Sequence, residues 1–515
     1  MFLSKRIMKM ATVAAIGFGT LSSLRANEYD FGSIGIVRLT RAAATVYVIG
    51  RHYKKSLYNT GLDKKSEEYI AKKSEAHSFG AKKLLQLCCA NKGVYIKVGQ
   101  HIGALDYLLP KEYVTTMRIL HNSAPESSFM DVLTILREDF KCDPNAIFSS
   151  IEERPLGTAS LAQVHEARLK NGNKVAVKVQ HRSVKTNSYV DLKTMEALVR
   201  ITSWCFPEFK FDWLVEETRK NIPKELDFKL EGKNADKVRI LFKDYSWLHV
   251  PQVYWDLTSN RVLTMEFIEG GHVNDLNYYQ KYKIDPYDVS DKLGKLYSRM
   301  IFIHGFVHSD PHPGNIMVRR TSASQTQVVL LDHGLYAELS DNFRWEYSKL
   351  WLAILNKDKV AMKKNCTKLG VRDLYGLLAC MVSGRSWETI MRGVQNTNYD
   401  SKEKELFQKE MPDLLPKITE VLAKVDRHML LILKTNDLIR SIEYNLNTHS
   451  RMMAFREMST CCVKAVYGEK LKYSVSRLSK WTIMAQEKWT LFKIVVYYAY
   501  LSLVQFDVRK FLSII

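Results

Sequence analysis

The chain has 515 residues, 46% hydrophobic and 11% aromatic, enough to bury a sizeable core and to divide into more than one domain. Its net charge of +21 favours anionic partners, either phospholipid surfaces or nucleotides, or else simply suits a mitochondrial protein; no zinc-finger spacing or aromatic RNA-binding motif accompanies it, so nucleic acid is set aside. The eight cysteines lack Cys-x-x-Cys spacing and include the vicinal pairs Cys88-Cys89 and Cys461-Cys462, which argues against a disulfide framework and for buried thiols in a reducing compartment.

Residues 1–27 carry Lys5, Arg6, Lys9 and Arg25 and no acid, around an apolar run of about 15 residues at 10–24, short of the roughly 18–20 that span a bilayer. Three readings stand: a mitochondrial import sequence, a secretory signal or a short membrane anchor. The absence of acid, the serines and the cysteine pattern favour the first. Residues 28–150 read as a helical region, with amphipathic helices over 64–90 and 127–140, the second closed by Asp143-Pro144. Residues 151–270 alternate between strands and a helical insertion over 191–242. Residues 271–400 form a helical lobe around a polar loop at 308–315, and 401–515 are helical again. The run Met429-Leu430-Leu431-Ile432-Leu433 is apolar on every side of a helix and predicts core. The uncharged run 494–506 is too short to span a bilayer; it either docks on the adjoining lobe, the favoured reading, or lies on a membrane.

Two stretches carry chemistry. The first is His308-Ser309-Asp310-Pro311-His312-Pro313-Gly314-Asn315, followed by Leu330-Leu331-Asp332-His333-Gly334. An Asp, then an Asn, then an Asp-x-Gly after an apolar strand is the metal and phosphate end of a kinase-like site. There Asp310 takes or orients the acceptor proton while Asn315 and Asp332 hold magnesium against ATP phosphates. All three residues present side-chain oxygens, the atoms a hard cation prefers. The two histidines could suggest zinc, but Pro311 and Pro313 hold the segment as a loop, so His308 reads as a packing and hydrogen-bonding residue.

The second stretch lies upstream. Val175-Ala176-Val177-Lys178-Val179 reads as a strand carrying the phosphate-binding Lys, reached from a strand over 161–169 by the turn signal Asn171-Gly172-Asn173. Before it, Gly157, Thr158, Ala159 and Ser160 stand where a phosphate-covering loop belongs. After it, the run 263–270, with Glu266 and Ile268, reads as the strand and hinge that meet adenine. Lys, hinge, Asp, Asn and Asp-x-Gly therefore occur in kinase order. They predict an α+β, two-lobed protein-kinase-like fold, with a small lobe over 151–270 and a large lobe over 271–400.

Two further motifs narrow the branch: Lys97-Val98-Gly99-Gln100, and Glu225-Leu226-Asp227 followed by Glu231. With Ala159-Ser160, Gln163-Val164-His165 and the His-x-Asp-x-His-Pro-Gly-Asn loop, they resemble the UbiB, or aarF-domain-containing, family of atypical kinases. The resemblance covers roughly residues 85–345, and the flanking segment 100–110 looks like the family's mitochondrial kinase 1 subgroup. It implies a helical extension over the active site that brings Lys97 and Gln100 to the nucleotide, with Glu225 and Asp227 nearby. It also implies a Lys178–Glu231 pair. The chain departs from the family's alanine-rich loop at Gly157 and Thr158, which leaves the nucleotide preference open.

Ser309 replaces the Arg that answers a phosphorylated activation loop, and no Ala-Pro-Glu comes after Gly334. A protein acceptor is therefore disfavoured. Two functions remain. One is Mg-ATP hydrolysis or phosphotransfer to a small or lipid-like acceptor. The other is a nucleotide-binding scaffold without phosphotransfer. Family analogy points to mitochondrial lipid or coenzyme Q homeostasis and to an inner-membrane location, with anionic phospholipid as a partner.

Overall fold

The computed structural model describes residues 35–58, 63, 66–103, 109–121, 126–205, 212–310, 312–321, 324–392, 417–418, 421, 424–448 and 453–505. The segment read as targeting or anchor, residues 1–27, lies outside these, as do 104–108 of the subgroup-like stretch, Pro311 and the tail beyond 505. In chain order the helices and strands that matter here are α1 (Gly35–Tyr53), α2 (Glu67–Asn91), α3 (Val94–Gly103), α4 (Lys111–Met117), α5 (Phe129–Phe140), β1 (Phe148–Ile151), β2 (Gly157–Thr158), β3 (Ala162–Leu169), β4 (Lys174–Gln180), α6 (Arg182–Cys205), α7 (Asp212–Glu225), α8 (Phe228–Leu241), β5 (Leu248–His249) and β6 (Val262–Glu266). They continue with β7 (Gly271–His272), α9 (Leu276–Tyr282), α10 (Pro286–Ser298), β8 (Phe306–His308), β9 (Ile316–Arg320), β10 (Thr326–Leu330), β11 (Tyr336–Glu338), α11 (Asp341–Leu355), α12 (Lys359–Lys368), α13 (Tyr375–Ser383), α14 (Trp387–Arg392), α15 (Arg427–Asn445), α16 (Met453–Tyr473) and α17 (Arg477–Gln505). The chain is α+β and divides into two compact units: residues 1–236 with 251–268, and residues 237–250 with 269–515.

The first unit is built on an antiparallel sheet in the order β1-β3-β4-β6, with β2 paired to the outer part of β3. Strand alternation decides its two faces. Val175, Val177 and Val179 of β4 are buried against Val132, Ile135 and Leu136 of α5, so Lys178 must point to the opposite face. The β3–β4 connection turns at Gly172, whose φ of 85° an L side chain rarely adopts. Helix α5 starts two residues inside the predicted span because Ser128 caps it, accepting from the Asp131 N–H at 3.2 Å. Asp143-Pro144 does not merely end that helix. Asp143 caps a further short turn, Pro144–Ile147, that leads into β1.

The Lys-x-Gly-Gln motif sits on α3, which packs into a cluster with Leu87 and Cys88 of α2, Met117 of α4 and Leu120. Gly99 is the contact point: a Cβ there would overlap Leu120 Cδ1 and press on Cys88 Sγ at 3.3 Å. Gly99→Val should therefore cost about 2 kcal/mol as overpacking. A urea midpoint unchanged from wild type would remove this account of the glycine.

The second unit is largely helical, and besides the apolar strand expected before Asp332 it holds further strands where the sequence pattern predicts a helical lobe. A sheet in the order β5-β10-β9-β7 and a β11-β8 pair are present. β5, β7 and β8 are only two or three residues long. In the apolar run of α15, Met429, Ile432 and Leu433 are buried, as predicted for core, while Leu430 and Leu431 are half-buried. Five cysteines are buried, but Cys89, Cys142 and Cys205 are exposed, which corrects the reading of uniformly buried thiols. Burial pushes the Cys88, Cys366 and Cys461 thiols up to about 12.

Candidate functional site

The first unit contributes a charged cluster on the sheet face opposite α5. Lys178, opposite Val164 on β3 and Leu263 on β6, extends to α8, where its Nζ lies 2.6 Å from Glu231 Oε1. Glu231 is only 2% exposed. The lysine also lies over the Phe228 ring, 5.3 Å from its centroid. Asp227 fixes where α8 begins. Its Oδ1 accepts from the Lys229 and Leu230 N–H groups at 3.1 and 3.2 Å, satisfying otherwise orphaned donors of the first turn. The carboxylate expected near the nucleotide is thus engaged as a helix cap, and it aims Glu231.

Lys97 reaches Glu225 at the end of α7, Nζ to Oε2 at 2.7 Å, with both side chains largely buried. Gln100 donates from Nε2 to the Leu120 carbonyl at 3.0 Å, so its amide secures α3 to the turn after α4. The resemblance places both residues at the nucleotide. The structure gives Lys97 a carboxylate partner within its own unit and Gln100 a backbone one.

The loop over Gly157, Thr158, Ala159 and Ser160 is tied to the sheet. Gly157 and Thr158 pair with Val164 and Gln163, and the Ala159 N–H donates to Ala162 O at 2.7 Å. His181 Nε2 donates to the Ala159 carbonyl at 3.0 Å while its Nδ1 accepts from Ser127 Oγ at 2.7 Å. The Gln163-x-His165 pair has a structural use as well. Gln163 Oε1 accepts from the Ser127 N–H at 2.8 Å, Gln163 Nε2 donates to His165 Nε2 at 2.9 Å, and His165 Nδ1 donates to Glu152 O at 2.8 Å. A Cβ on Gly157 would meet nothing within 4 Å, so the departure from alanine is not imposed by crowding. Glu266 ends β6, its N–H donating to Gln252 O at 2.8 Å, and Ile268 lies buried two residues beyond the strand.

Burial holds both His165 and His181 below the ordinary histidine value of 6.5, as it does His77, His304 and His308. Below about pH 6.5 the unfolded chain takes up protons that these folded imidazoles resist, so stability falls as pH falls through that value. Unfolding by urea at a series of pH values from about 7 to about 5 should show this loss, above the range in which Asp139 and Glu346, both held low, release theirs. A flat profile there would mean the imidazoles protonate in place.

The second unit carries the other group. His308 ends β8, wholly buried, and braces the catalytic loop. Its Nδ1 accepts from the Asp310 N–H at 3.2 Å and its Nε2 donates to Asp332 O at 2.9 Å. Both ring nitrogens serve the backbone, as the packing role predicts. His312 caps the turn Pro313–Asn315, and Asn315 Nδ2 donates to Asp310 O at 3.1 Å, turning its side-chain oxygen the other way. The antiparallel pair β9–β10 then returns the chain, and the Leu331 N–H donates to Asn315 O at 3.0 Å. Asp332 Oδ1 accepts from the Gly334 N–H at 2.8 Å. Asp310, Asn315 and Asp332 are brought together by one strand pair and one histidine. Ser309 is buried, its N–H donating to Leu335 O at 3.0 Å. After Gly334 the chain pairs β11 with β8, Tyr336 opposite His308, and enters α11 at Asp341.

A model of the ABC1 atypical kinase-like domain matches residues 119–366. A Drosophila melanogaster protein named AarF domain-containing kinase 1 is 56% identical over 498 residues, covering 95% of this chain and 96% of that protein. The chain belongs to the ABC1/AarF family of atypical kinases. A Gallus gallus relative, AarF domain-containing protein kinase 1, is 45% identical over 503 residues, covering 97% of this chain and 96% of its own. The fold is kinase-like, and the ABC1 domain spans Lys178, Glu231, Asp310, Asn315 and Asp332.

A further charged residue, outside every motif of the sequence, stands at the loop that carries Asp310. Lys434 of α15 places Nζ 3.5 Å from Asp310 Oδ1. Its only local signal is a cation directly after the apolar run of α15. No motif ties it to residue 310.

Proposed function

We propose that this ABC1-family chain binds Mg-ATP and either hydrolyses it or passes its phosphoryl group to a small or lipid-like acceptor. It would do so in mitochondria at the inner membrane, in support of lipid or coenzyme Q homeostasis and membrane organisation. The observation that carries the reading is the Lys178–Glu231 ion pair, a strand Lys held by a helix Glu as phosphotransfer enzymes require. Lys178 holds phosphates and Asp310 takes or orients the acceptor proton. Asn315 and Asp332 suit magnesium, an oxygen-seeking cation that is held by few protein ligands with phosphates supplying the rest. No larger His, Cys, Asp or Glu cluster gathers among the described residues. Bound magnesium neutralises phosphate charge. A small acceptor is favoured over a protein because the chain passes directly from Gly334 through β11 into α11, with no long segment between them. The mitochondrial setting rests on the composition of residues 1–27 and on family resemblance.

The lack of an Ala-Pro-Glu motif after Gly334 also favours a second reading, a nucleotide-bound scaffold of the inner membrane. ATP turnover by the purified protein with magnesium, with and without cardiolipin-containing liposomes, separates the two. Turnover that disappears in Asp332→Asn supports the enzyme. Nucleotide binding without turnover, together with full rescue of deficient cells by Asp310→Asn, supports the scaffold.

A further inference from the structure

We propose that the outer face of α17 is a docking surface for an anionic phospholipid membrane, with the helix lying in the plane of the interface. The helix is apolar on two sides. Its inner side packs on α16, with Tyr498 buried and Tyr467 hydrogen-bonded to Thr490 at 3.1 Å. The other side carries Leu478, Trp481, Met484, Trp489, Phe492 and Val496, all exposed. Leu478 is 81% exposed, Trp481 74% and Trp489 61%, far more than isolated surface apolar residues need explain. At about 100° per residue these positions form one stripe, opposite Ile483 and Ile494, with Tyr498 beyond the edge next to Met484. Trp489 and Phe492 stack with ring centroids 5.6 Å apart and thus form a continuous patch.

Charge selects the occupant. Lys488 lies within the stripe, Lys480 and Lys493 fall on its two edges, and all three are exposed. Glu487, the single acidic residue of the helix, is half-buried on the packed side. An apolar stripe with Trp residues, rimmed by Lys and free of exposed acid, matches the boundary between acyl chains and anionic headgroups. A soluble protein partner would leave the lysines without a defined complement, whereas anionic lipid complements each of them, in keeping with the net charge of +21. No helix among the described residues is long and apolar enough to cross a membrane, so the contact is lateral.

This inference locates the membrane contact of the proposed function and rests on that reading for its setting. It is tested without ATP, so its failure is separate from failure of the nucleotide chemistry. The full chain is sedimented with vesicles of phosphatidylcholine alone and of phosphatidylcholine mixed with cardiolipin. It should partition onto the anionic vesicles only. Trp481→Ser/Trp489→Ser/Phe492→Ser should lower that partition about ten-fold or more, with an unchanged melting temperature because these side chains are exposed. Lys480→Glu/Lys488→Glu/Lys493→Glu, which leaves the apolar stripe intact, should lower it by as much and serves if the first variant folds poorly. Undiminished binding by both variants, equal binding to neutral vesicles or no binding by the wild type would each overturn the proposal. So would an apolar variant that turns an oligomer into a monomer with vesicle binding unchanged, since a second copy would then cover the face.

Discussion

Lys178→Met should lower the unfolding free energy by about 3 kcal/mol, and adding Glu231→Met should return most of that stability while turnover stays lost. The first part follows from burial. Glu231 is 2% exposed, and its carboxylate oxygen lies 2.6 Å from the ammonium. Removing the lysine strips that carboxylate of its nearest cation while water remains excluded. The second part follows because an ion pair replaced as a unit by apolar groups of similar volume sheds two desolvation costs together. The Phe228 ring beneath Lys178 is a suitable neighbour for a thioether. Activity would not recover, because the side chain proposed to hold the phosphates is absent from both variants. Urea unfolding and ATP turnover on the two variants give the comparison. A double variant no more stable than the single would mean that other groups carry the Glu231 charge. Full turnover in Lys178→Met would remove the lysine from phosphate binding.

That pair also shows what the sequence could and could not convey. β4 was legible because alternating valines specify one buried face, which leaves Lys178 on the other, and because Asn171-Gly172 marks the turn before it. The loop from Asp310 to Asp332 was legible because a single strand pair encloses its whole geometry. Glu225 and Asp227 were harder. Three carboxylates crowd into a short segment, and only the resemblance assigned the lysine partner to Glu231. Asp227 caps α8, but the sequence reading ran one helical insertion through it, and the break before Phe228 that gives the cap its place is seen only in the fold. The short strands β5, β7 and β8 had no local signal, since pairing with distant strands rather than propensity forms them. Nor could the uncharged run at 494–506 reveal that its helix would pack by one side only, because which face meets α16 depends on the three-dimensional path of the chain. Lys434 is the extreme case: its charge gains meaning only when α15 returns to the catalytic loop.

Asp310→Asn should lower turnover by about 10²- to 10⁴-fold, the range for loss of a positioned proton-transfer group. Lys434→Met should lower it about five-fold, and in the Asp310→Asn background it should add nothing. The carboxylate of Asp310 is held from behind by the His308 bond to its N–H and by the Asn315 bond to its carbonyl, both on the backbone. Its side chain is steered by Lys434 at 3.5 Å. Both side chains are partly exposed, so the pair contributes on the order of 1 kcal/mol to orientation, and each 1.36 kcal/mol is ten-fold in rate. Groups that act as a unit are non-additive, which is why the double variant is informative. If Lys434→Met costs a further five-fold on top of Asp310→Asn, the lysine acts on something other than this carboxylate. If it leaves turnover unchanged in the wild-type background, the contact merely anchors α15. A rise in turnover would give it the opposite sense, a cation that competes for Asp310 and must be displaced before the acceptor can be engaged.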